Sequence, residues 1–210
     1  MFRLYDISMP IFEGMPVYKN KPEKQPKVEV LQDFTAASAY ESRIHMDAHT
    51  GTHVDAPLHM IPGGETFESI SLERLVGRCR VLDLTHVTDG ISKEDLERHY
   101  PVAGEFLLLK TLNSQENGFM PEFVYLTEDG AKYLAELGIR GVGIDALGVE
   151  RSQAGHPTHK ALFGSNVIII EGLRLGEVEP GDYLLVAAPL KMVGTEAAPA
   201  RVLLIEGLAL

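Results

Sequence analysis

Short apolar runs rich in β-forming residues recur along most of this chain, and turn-forming Gly, Pro, Asp or Asn residues bound each of them. From residue 27 onward these runs read KVEVL, SRIHM, CRVLDL, FLLLK, GVGI, NVIII, DYLLVA and RVLLI. Apolar runs this short, bounded by turn signals, are typical of strands rather than helices. We therefore predict that a β-sheet organises the fold.

Two segments between the runs carry helix signals. The segment Thr127 to Leu137 begins with a capping threonine, continues with two acidic residues and is followed by Gly138, a common helix stop. The segment Ser92 to His99 begins with a capping serine and has acidic residues in its first turn. Since strands outnumber helices, the pattern predicts an α/β fold with a mixed sheet.

Composition sets limits on the class of protein. The 210 residues are 45% hydrophobic and show no internal repeat or low-complexity linker, so we predict one domain over residues 1–210. A net charge of −11 repels polyanions, which argues against a nucleic-acid partner. No apolar run approaches the ~18 residues of a membrane span, and no membrane partner is expected. The single cysteine, Cys79, cannot form an intramolecular disulfide, which favours a reducing, cytoplasmic setting.

Residues 16–27, PVYKNKPEKQPK, contain three prolines and several lysines with hardly any apolar periodicity. Such a composition predicts an exposed loop. A loop of this kind is free to move or to border a functional site.

Histidines cluster near the middle of the first half of the chain. Four of the eight lie within residues 45–59, namely His45, His49, His53 and His59. Imidazole is the commonest transition-metal ligand in proteins, and a nearby carboxylate such as Asp55 supplies charge compensation. His49, His53 and Asp55 therefore form a candidate ligand set, although an ordinary hydrogen-bonded role is expected for His45, as it is for His86 and His99.

The residues around this set predict its local geometry. Gly51, between two threonines, and Pro57 disfavour a helix, so His49 and His53 are expected at a strand end or in a loop. In an extended segment His53 and Asp55, two residues apart, point to the same side. His59 lies beyond Pro57 and is offset from them.

A second cluster lies about 100 residues further on, in HPTHKALFGSNVIIIEGL. His156 and His159 precede an apolar run, and Glu171 stands at its far end. Taken alone, Glu171 fits an exposed strand end better than a metal ligand.

The segment HTGTHVDAPLH, residues 49–59, resembles the signature of the cyclase family of metal-dependent hydrolases, which includes bacterial kynurenine formamidases and isatin hydrolases. The resemblance extends in order through YDISMPIFEGMPVY, LLLKT, LTEDGAKYLAELGIRGVGID, HKALFGSNVIIIEGL and PGDYLLVAAPLKMVGTEAAPARVLL. It implies the family's swivelling β/β/α fold in a single domain, usually assembled as a homodimer or homotetramer.

The resemblance also implies a site with two divalent ions, Zn²⁺ being the expected metal and Mn²⁺ an alternative. One ion would be held by His49, His53 and Asp55. The second would share Asp55 and be held by His159, with Glu171 touching both ions. His59 would be the proton-transferring residue.

The implied activity is hydrolysis of an amide-type C–N bond by metal-activated water, with aryl formamides as the first substrate class and tryptophan catabolism as a candidate pathway. Formamidases of the family usually carry a Trp where this chain has Tyr18, and a Ser where it has Ala146. Tyr18 is expected to stack on an aromatic substrate. Two alternatives stay open: hydrolysis of an isatin-like ring or a lactone, and a non-catalytic metal-binding protein. A substrate-sized pocket beside the metal ligands would favour an enzyme.

Overall fold

A computed structural model of the chain describes residues 2–116 and 118–207. Within these residues the strands are β1 (Arg3–Asp6), β2 (Lys27–Gln32), β3 (Glu41–His45), β4 (His53–Asp55), β5 (Val76–Asp83), β6 (Gly90–Ile91), β7 (Phe106–Lys110), β8 (Tyr125–Leu126), β9 (Gly141–Ile144), β10 (Ile168–Glu171), β11 (Gly181–Pro189) and β12 (Ala197–Glu206). The helices are α1 (Lys93–Glu97), α2 (Glu128–Leu137) and α3 (Pro157–Gly164).

Eight strands form the main sheet, in the order β1, β12, β11, β5, β7, β9, β10, β4. The strands β5, β7, β9 and β10 run parallel to one another, whereas the remaining pairings are antiparallel. Strand β4 pairs with both β10 and β12, so the sheet closes into a barrel-like arrangement. The prediction of an α/β fold with a mixed sheet is confirmed, while the assignment of residues 1–210 to one domain stays a prediction.

The apolar runs are strands because both faces of the central sheet are covered. Along β7, Leu107 and Leu109 belong to one buried apolar cluster, and Phe106 and Leu108 belong to another. Successive side chains of a strand point to opposite faces, which separates the two clusters. A strand buried on both faces needs an uninterrupted apolar sequence, and FLLLK meets that need.

Both predicted helices are present. Helix α2 begins after Thr127, whose hydroxyl accepts a hydrogen bond from the Gly130 N–H, and ends at Gly138, which has a left-handed backbone. Helix α1 begins after Ser92, which forms a capping box with Asp95, but it ends at Glu97, two residues before the predicted end.

Helix α3 was not predicted from the sequence. It begins at Pro157, whose fixed φ suits the first helical position, and it places His159 in its first turn. The segment also holds a threonine, a histidine and a glycine, which weaken the helical pattern. The prediction missed this helix because the sequence of the segment carries only a weak helix signal.

The lysine-rich segment 16–27 is more firmly held than an exposed loop would be. It forms two 3-10 turns, Tyr18–Asn20 and Pro22–Lys24, joined by extended backbone. Val17 and Pro26 are buried, and Tyr18 is half-buried, whereas most of the lysines are exposed. The loop prediction is therefore correct for the charged side chains and wrong for these anchors.

Candidate metal centre

The pairing of β4 with β10 brings the two histidine-rich stretches of the chain together. His53 lies directly opposite Glu171, and Asp55 lies opposite Ile169. Directly opposite residues of an antiparallel pair share a face, and residues two apart along a strand also share one. His53, Asp55 and Glu171 therefore point to the same side of the sheet, although about 120 residues separate the two strands.

Two glycines let these strands begin and end in close contact. Gly172 has a φ of +71°, and a Cβ added to it would lie 2.5 Å from the Gly51 carbonyl oxygen. The Thr52 hydroxyl donates a hydrogen bond of 2.5 Å to the Gly172 carbonyl. The Gly51 carbonyl in turn lies 2.9 Å from Nδ1 of His53, which leaves Nε2 of that ring facing the carboxylates.

The 3-10 turn Pro57–His59 follows β4 and returns the chain towards His49. The ring centroids of His49 and His59 are 4.2 Å apart, and those of His59 and His159 are 5.6 Å apart. His49 places Nδ1 3.0 Å from an Asp55 carboxylate oxygen and Nε2 3.4 Å from Glu196. His59 thus lies between the two histidine-rich stretches.

Helix α3 supplies His159 from the other side of the site. Its Nε2 lies 3.3 Å from Glu171 and 3.8 Å from Asp55. Its Nδ1 lies 2.8 Å from the buried carboxylate of Glu150. A carboxylate behind a histidine ring fixes the ring orientation and leaves the other nitrogen free for a metal.

The spacing of these atoms suits shared ligation of an ion. Two ligand atoms that bind one ion at about 2.0–2.1 Å with tetrahedral angles lie roughly 3.4 Å apart. Nε2 of His53 lies 3.3 Å from Asp55 and 3.4 Å from Glu171, close to that separation. Within the described residues, the potential ligand groups are His49, Asp55 and His59; His53, Asp55 and Glu171; and Glu150, His156 and His159.

The ligand atoms also lack other partners. Within the described residues, buried atoms without a hydrogen bond include Nε2 of His49, His53 and His159 and both carboxylate oxygens of Asp55. Buried polar atoms are nearly always satisfied in folded proteins, so five that converge on one place need an explanation. The residues present fit a divalent ion, since neutral imidazoles and carboxylates are the ligands that Zn²⁺ and Mn²⁺ accept.

The electrostatics of the metal-free centre show strong coupling between these groups. Burial disfavours the charged imidazole, but the neighbouring Asp55 and Glu171 carboxylates raise the pKa of His53 to about 10. Burial likewise opposes the charged form of His159, but Glu150 and Glu171 raise its pKa to about 10. Protons therefore occupy these rings at neutral pH without a metal, and a bound cation would replace them.

The carboxylates and His59 behave differently. Burial and the Asp55 charge oppose ionisation of Glu171, but His159 and His53 lower its pKa to about 2. Burial alone is the largest influence on His59 and lowers the pKa of that ring. His59 thus favours its neutral form, as a proton acceptor must.

His49, His159 and Glu171 line an open cleft of about 270 Å³, and the buried His53 and Asp55 contact Glu171 and His49, respectively. We call these five residues the floor of the cleft. Tyr18 lines this cleft and packs edge-on against Phe119, with ring centroids 5.3 Å apart. Burial, followed by the charges of Glu171 and Glu150, raises the pKa of the Tyr18 hydroxyl. The predicted substrate-contacting residue therefore lies beside the centre, not remote from it.

The structure brings all the residues predicted for the site together. The cleft is lined by His49, His59, His159, Glu171 and Tyr18, and the buried His53 and Asp55 contact Glu171 and His49. His45 lies apart and pairs with Glu29 at 3.0 Å on the surface. The buried Glu150 was missed, because a lone glutamate after GIDALGV carries no spacing signal. Its position nine residues before His159 becomes meaningful only once α3 turns that histidine back on it.

The Cyclase family model matches residues 5–151, more than two thirds of the chain. The chain belongs to the Cyclase family. His159 and Glu171 lie beyond the matched range, but full-length relatives extend over them. The kynurenine formamidase of Salinibacter ruber (strain DSM 13855 / M31) is 32% identical over 204 residues, which is 96% of each chain.

Solved structures of similar proteins cover almost the whole chain. One, described as a potential metal-dependent hydrolase with cyclase activity, is 59% identical with a TM-score of 0.93 and covers 100% of both chains. Isatin hydrolase A from Labrenzia aggregata, bound to benzyl benzoate, is 26% identical with a TM-score of 0.83, covering 97% of this chain and 93% of its own. The fold of this Cyclase-family chain is thus that of metal-dependent hydrolases.

Proposed function

We propose that this chain is a metal-dependent hydrolase that cleaves an amide-type C–N bond, with aryl formamides as its first substrate class. The observation that carries the proposal is that buried imidazole and carboxylate atoms without a hydrogen-bond partner converge at the floor of an open cleft. A purely structural metal site is usually closed and rich in cysteine. Cys79, the single cysteine, lies buried in the sheet, where burial raises its thiol pKa to about 12.

The proposed ligands are His49, His53, Asp55, His159 and Glu171, and we expect them to hold two divalent ions, Zn²⁺ first and Mn²⁺ as the alternative. Ions bound there would polarise a carbonyl group and make water a stronger acid, which is the chemistry that amide hydrolysis needs at neutral pH. Asp55 would contact both ions, and the contacts of its two oxygens with different histidines support this role. Glu150 holds His159 in the orientation that ligation requires.

His59 is the proposed proton-transferring residue. In the reaction water adds to the carbonyl carbon, the C–N bond breaks, and the amine leaves with a proton. A half-buried imidazole whose pKa is lowered by burial can accept the proton from water and deliver it to the leaving nitrogen. The products are a carboxylic acid and a free amine.

A second candidate is hydrolysis of a cyclic amide such as isatin. The similarity to isatin hydrolase A supports it, because that protein shares the fold at a TM-score of 0.83. Relatives that are kynurenine formamidases, such as the one from Salinibacter ruber, support an aryl formamide substrate instead. They also make tryptophan catabolism a candidate pathway. A small lactone is the second ring substrate to be compared.

The test is reconstitution of the metal-free protein. Zn²⁺, Mn²⁺ or Co²⁺ is added to the apo-protein, and hydrolysis of N-formylkynurenine, formanilide, isatin and a simple lactone is followed. We expect activity on the formamides that is lost on chelation and regained with metal. Opening of isatin alone would favour the second candidate. Metal binding without hydrolysis of any of the four would favour a non-catalytic metal-binding protein and contradict the proposal.

Assembly and location are also proposed. We expect a homodimer or homotetramer, supported by the β2–β3 hairpin, where the cross-strand pair Val28 and Ile44 stays about half exposed and Phe34 is 74% exposed. Light scattering in solution measures the oligomeric state directly.

Within the described residues, every helix is too short or too polar to cross a membrane. A cytoplasmic location remains an expectation from the lone cysteine.

A further inference from the structure

Positive charge is concentrated on one side of the cleft. Residues 16–27 contain four of the nine lysines of the chain and one acidic residue, Glu23, although the whole chain has a net charge of −11. Three of these lysines, Lys19, Lys21 and Lys24, line the cleft above the metal-ligand floor. We call them the lysine rim. A local excess of one sign against the overall charge indicates a partner of the opposite sign.

The rim lysines differ in how far their charges are already matched. Lys24 lies 3.3 Å from Asp47, which largely compensates it. Lys21 has only a loose contact of 3.9 Å with Glu23, and both side chains are well exposed. Within the described residues, no carboxylate lies within 4.0 Å of Lys19, whose ammonium lies 5.3 Å from the centre of the Tyr18 ring. Lys19 is therefore the least compensated cation of the rim.

The rim lysines are not counter-ions of the floor. Asp55, Glu150 and Glu171 contact histidines, and within the described residues no ion pair joins them to a lysine. Divalent ions at the floor would compensate these carboxylates. The charge of the rim thus remains available to something else that enters the cleft.

The backbone of the rim is held in an uncommon conformation. Lys19 and Asn20 have φ values of 58° and 49°, in the left-handed region that residues other than glycine rarely adopt. The buried side chains of Val17 and Pro26 on either side hold the segment in place. Strain of this kind in a cleft wall, imposed by the surrounding structure, suits a functional position.

We propose that Lys19, assisted by Lys21, binds an anionic group at the end of the substrate remote from the scissile bond. This rests on the proposed function, since it describes the substrate of the same cleft. The substrate is then a net-anionic aryl amide, in which the reacting carbonyl lies at the floor. Its ring packs beside Tyr18, and its carboxylate reaches the rim.

The test compares two compounds of nearly equal shape, 4-formamidobenzoate and 4-formamidobenzamide, together with their 3-isomers. The acids carry a carboxylate where the amides carry a neutral carboxamide. With metal-loaded protein we expect kcat/KM to be about tenfold higher for the better acid than for its amide, as a charge-assisted contact in a partly dry cleft allows. Higher ionic strength should reduce this ratio.

Three variants locate the effect. Lys19→Gln should bring the ratio of acid to amide close to one, and Lys19→Glu should bring it below one. Lys191→Gln, at an exposed lysine that does not line the cleft, is the matched control and should keep the wild-type ratio. An acid preference that persists in the Lys19→Gln/Lys21→Gln double variant would place the anion elsewhere and overturn the proposal.

Calorimetric titration of the metal-free protein with the same compounds separates this inference from the proposed function. Tighter binding of the acid, lost in Lys19→Gln, would support the anion site even if no amide were hydrolysed. Hydrolysis of both compounds at a ratio insensitive to Lys19 would leave the proposed function standing and contradict the anion site. Equal binding of acid and amide would also contradict it.

Discussion

The floor and the rim of the cleft are built in different ways. Floor residues such as His53 and Glu171 are buried on paired strands, and the register of β4 with β10 determines their separation. The rim lies within residues 18–24, which form two 3-10 turns and no strand, and Lys19 and Lys21 are exposed there. Three of the proposed metal ligands thus lie on strands, where the backbone fixes their positions, and the lysines proposed to meet the substrate lie on a loop.

The floor and the rim also differ in how closely their charged groups are paired. At the floor each ionisable group contacts another, and their protonation is linked. At the rim Lys19 stands nearly alone. Substitutions at the floor should therefore abolish metal binding or turnover, whereas substitutions at the rim should change the choice of substrate.

The largest effect is expected from Asp55→Ala. The carboxylate faces His49, His53 and His159, so its removal leaves the proposed ions without a bridging ligand. Metal content, measured by elemental analysis, should fall to background, and activity should fall with it. Asp47→Ala is the matched control, because Asp47 also lines the cleft but pairs with Lys24 of the rim, and this variant should keep its metal. Full metal occupancy in Asp55→Ala would contradict the difference between floor and rim.

His59→Ala should lower kcat by about 10²–10⁴-fold while metal content stays near wild type, because the residue transfers protons in our proposal. His156→Ala, at an exposed histidine that also lines the cleft, provides the comparison. Unchanged kcat would show that proton transfer takes another route. Loss of metal would instead make His59 a ligand, which its proximity to His49 and Asp55 allows.

Metal affinity should depend on pH through the floor alone. In the metal-free protein the pKa values of His53 and His159 are raised to about 10, so both rings are protonated at neutral pH. Ligation must displace these protons, and affinity should rise about tenfold per pH unit for each proton released. Titration calorimetry between pH 6 and 8, in buffers of different ionisation enthalpy, counts the protons. A metal affinity that does not change with pH would contradict the displacement of protons from these two rings.

Glu150→Gln keeps a hydrogen-bond acceptor for His159 but removes the charge. Such a change behind a metal-ligating histidine typically weakens metal affinity by about 10–100-fold. Competition with a chromophoric chelator measures this. Glu196→Gln, at a carboxylate 3.4 Å from His49 but partly exposed, should have a smaller effect because solvent screens it. Equal losses of metal affinity in the two variants would contradict a particular role for the Glu150 charge behind His159.

The smallest effect is expected at Tyr18. Tyr18→Phe keeps the ring against Phe119 and should leave KM for an aryl formamide within a few-fold of wild type. Tyr18→Ala removes the ring and should raise KM by more than Tyr18→Phe does, with little change in kcat. A loss of metal in either variant would mean that the wall of the cleft at Tyr18 and the metal-ligand floor are not independent.

Much of the fold could be predicted from local patterns. The apolar runs became strands because their composition suits burial on both faces, and α2 begins and ends at its capping residues Thr127 and Gly138. Helix α3 could not be predicted with the same rules, since its sequence has weak helical propensity. Packing against α2 and β10 stabilises it instead.

The sequence by itself determined that His53 and Asp55 share a side, because the period of a strand is two residues and Gly51 and Pro57 exclude a helix. It also placed a chelating motif and a lysine-rich segment in one chain. Only the tertiary structure decided that Glu171 lies opposite His53 and that α3 places His159 beside Glu171. It also decided that the rim lysines line the same cleft. Those relations depend on strand register and packing between distant segments, which local spacing does not encode.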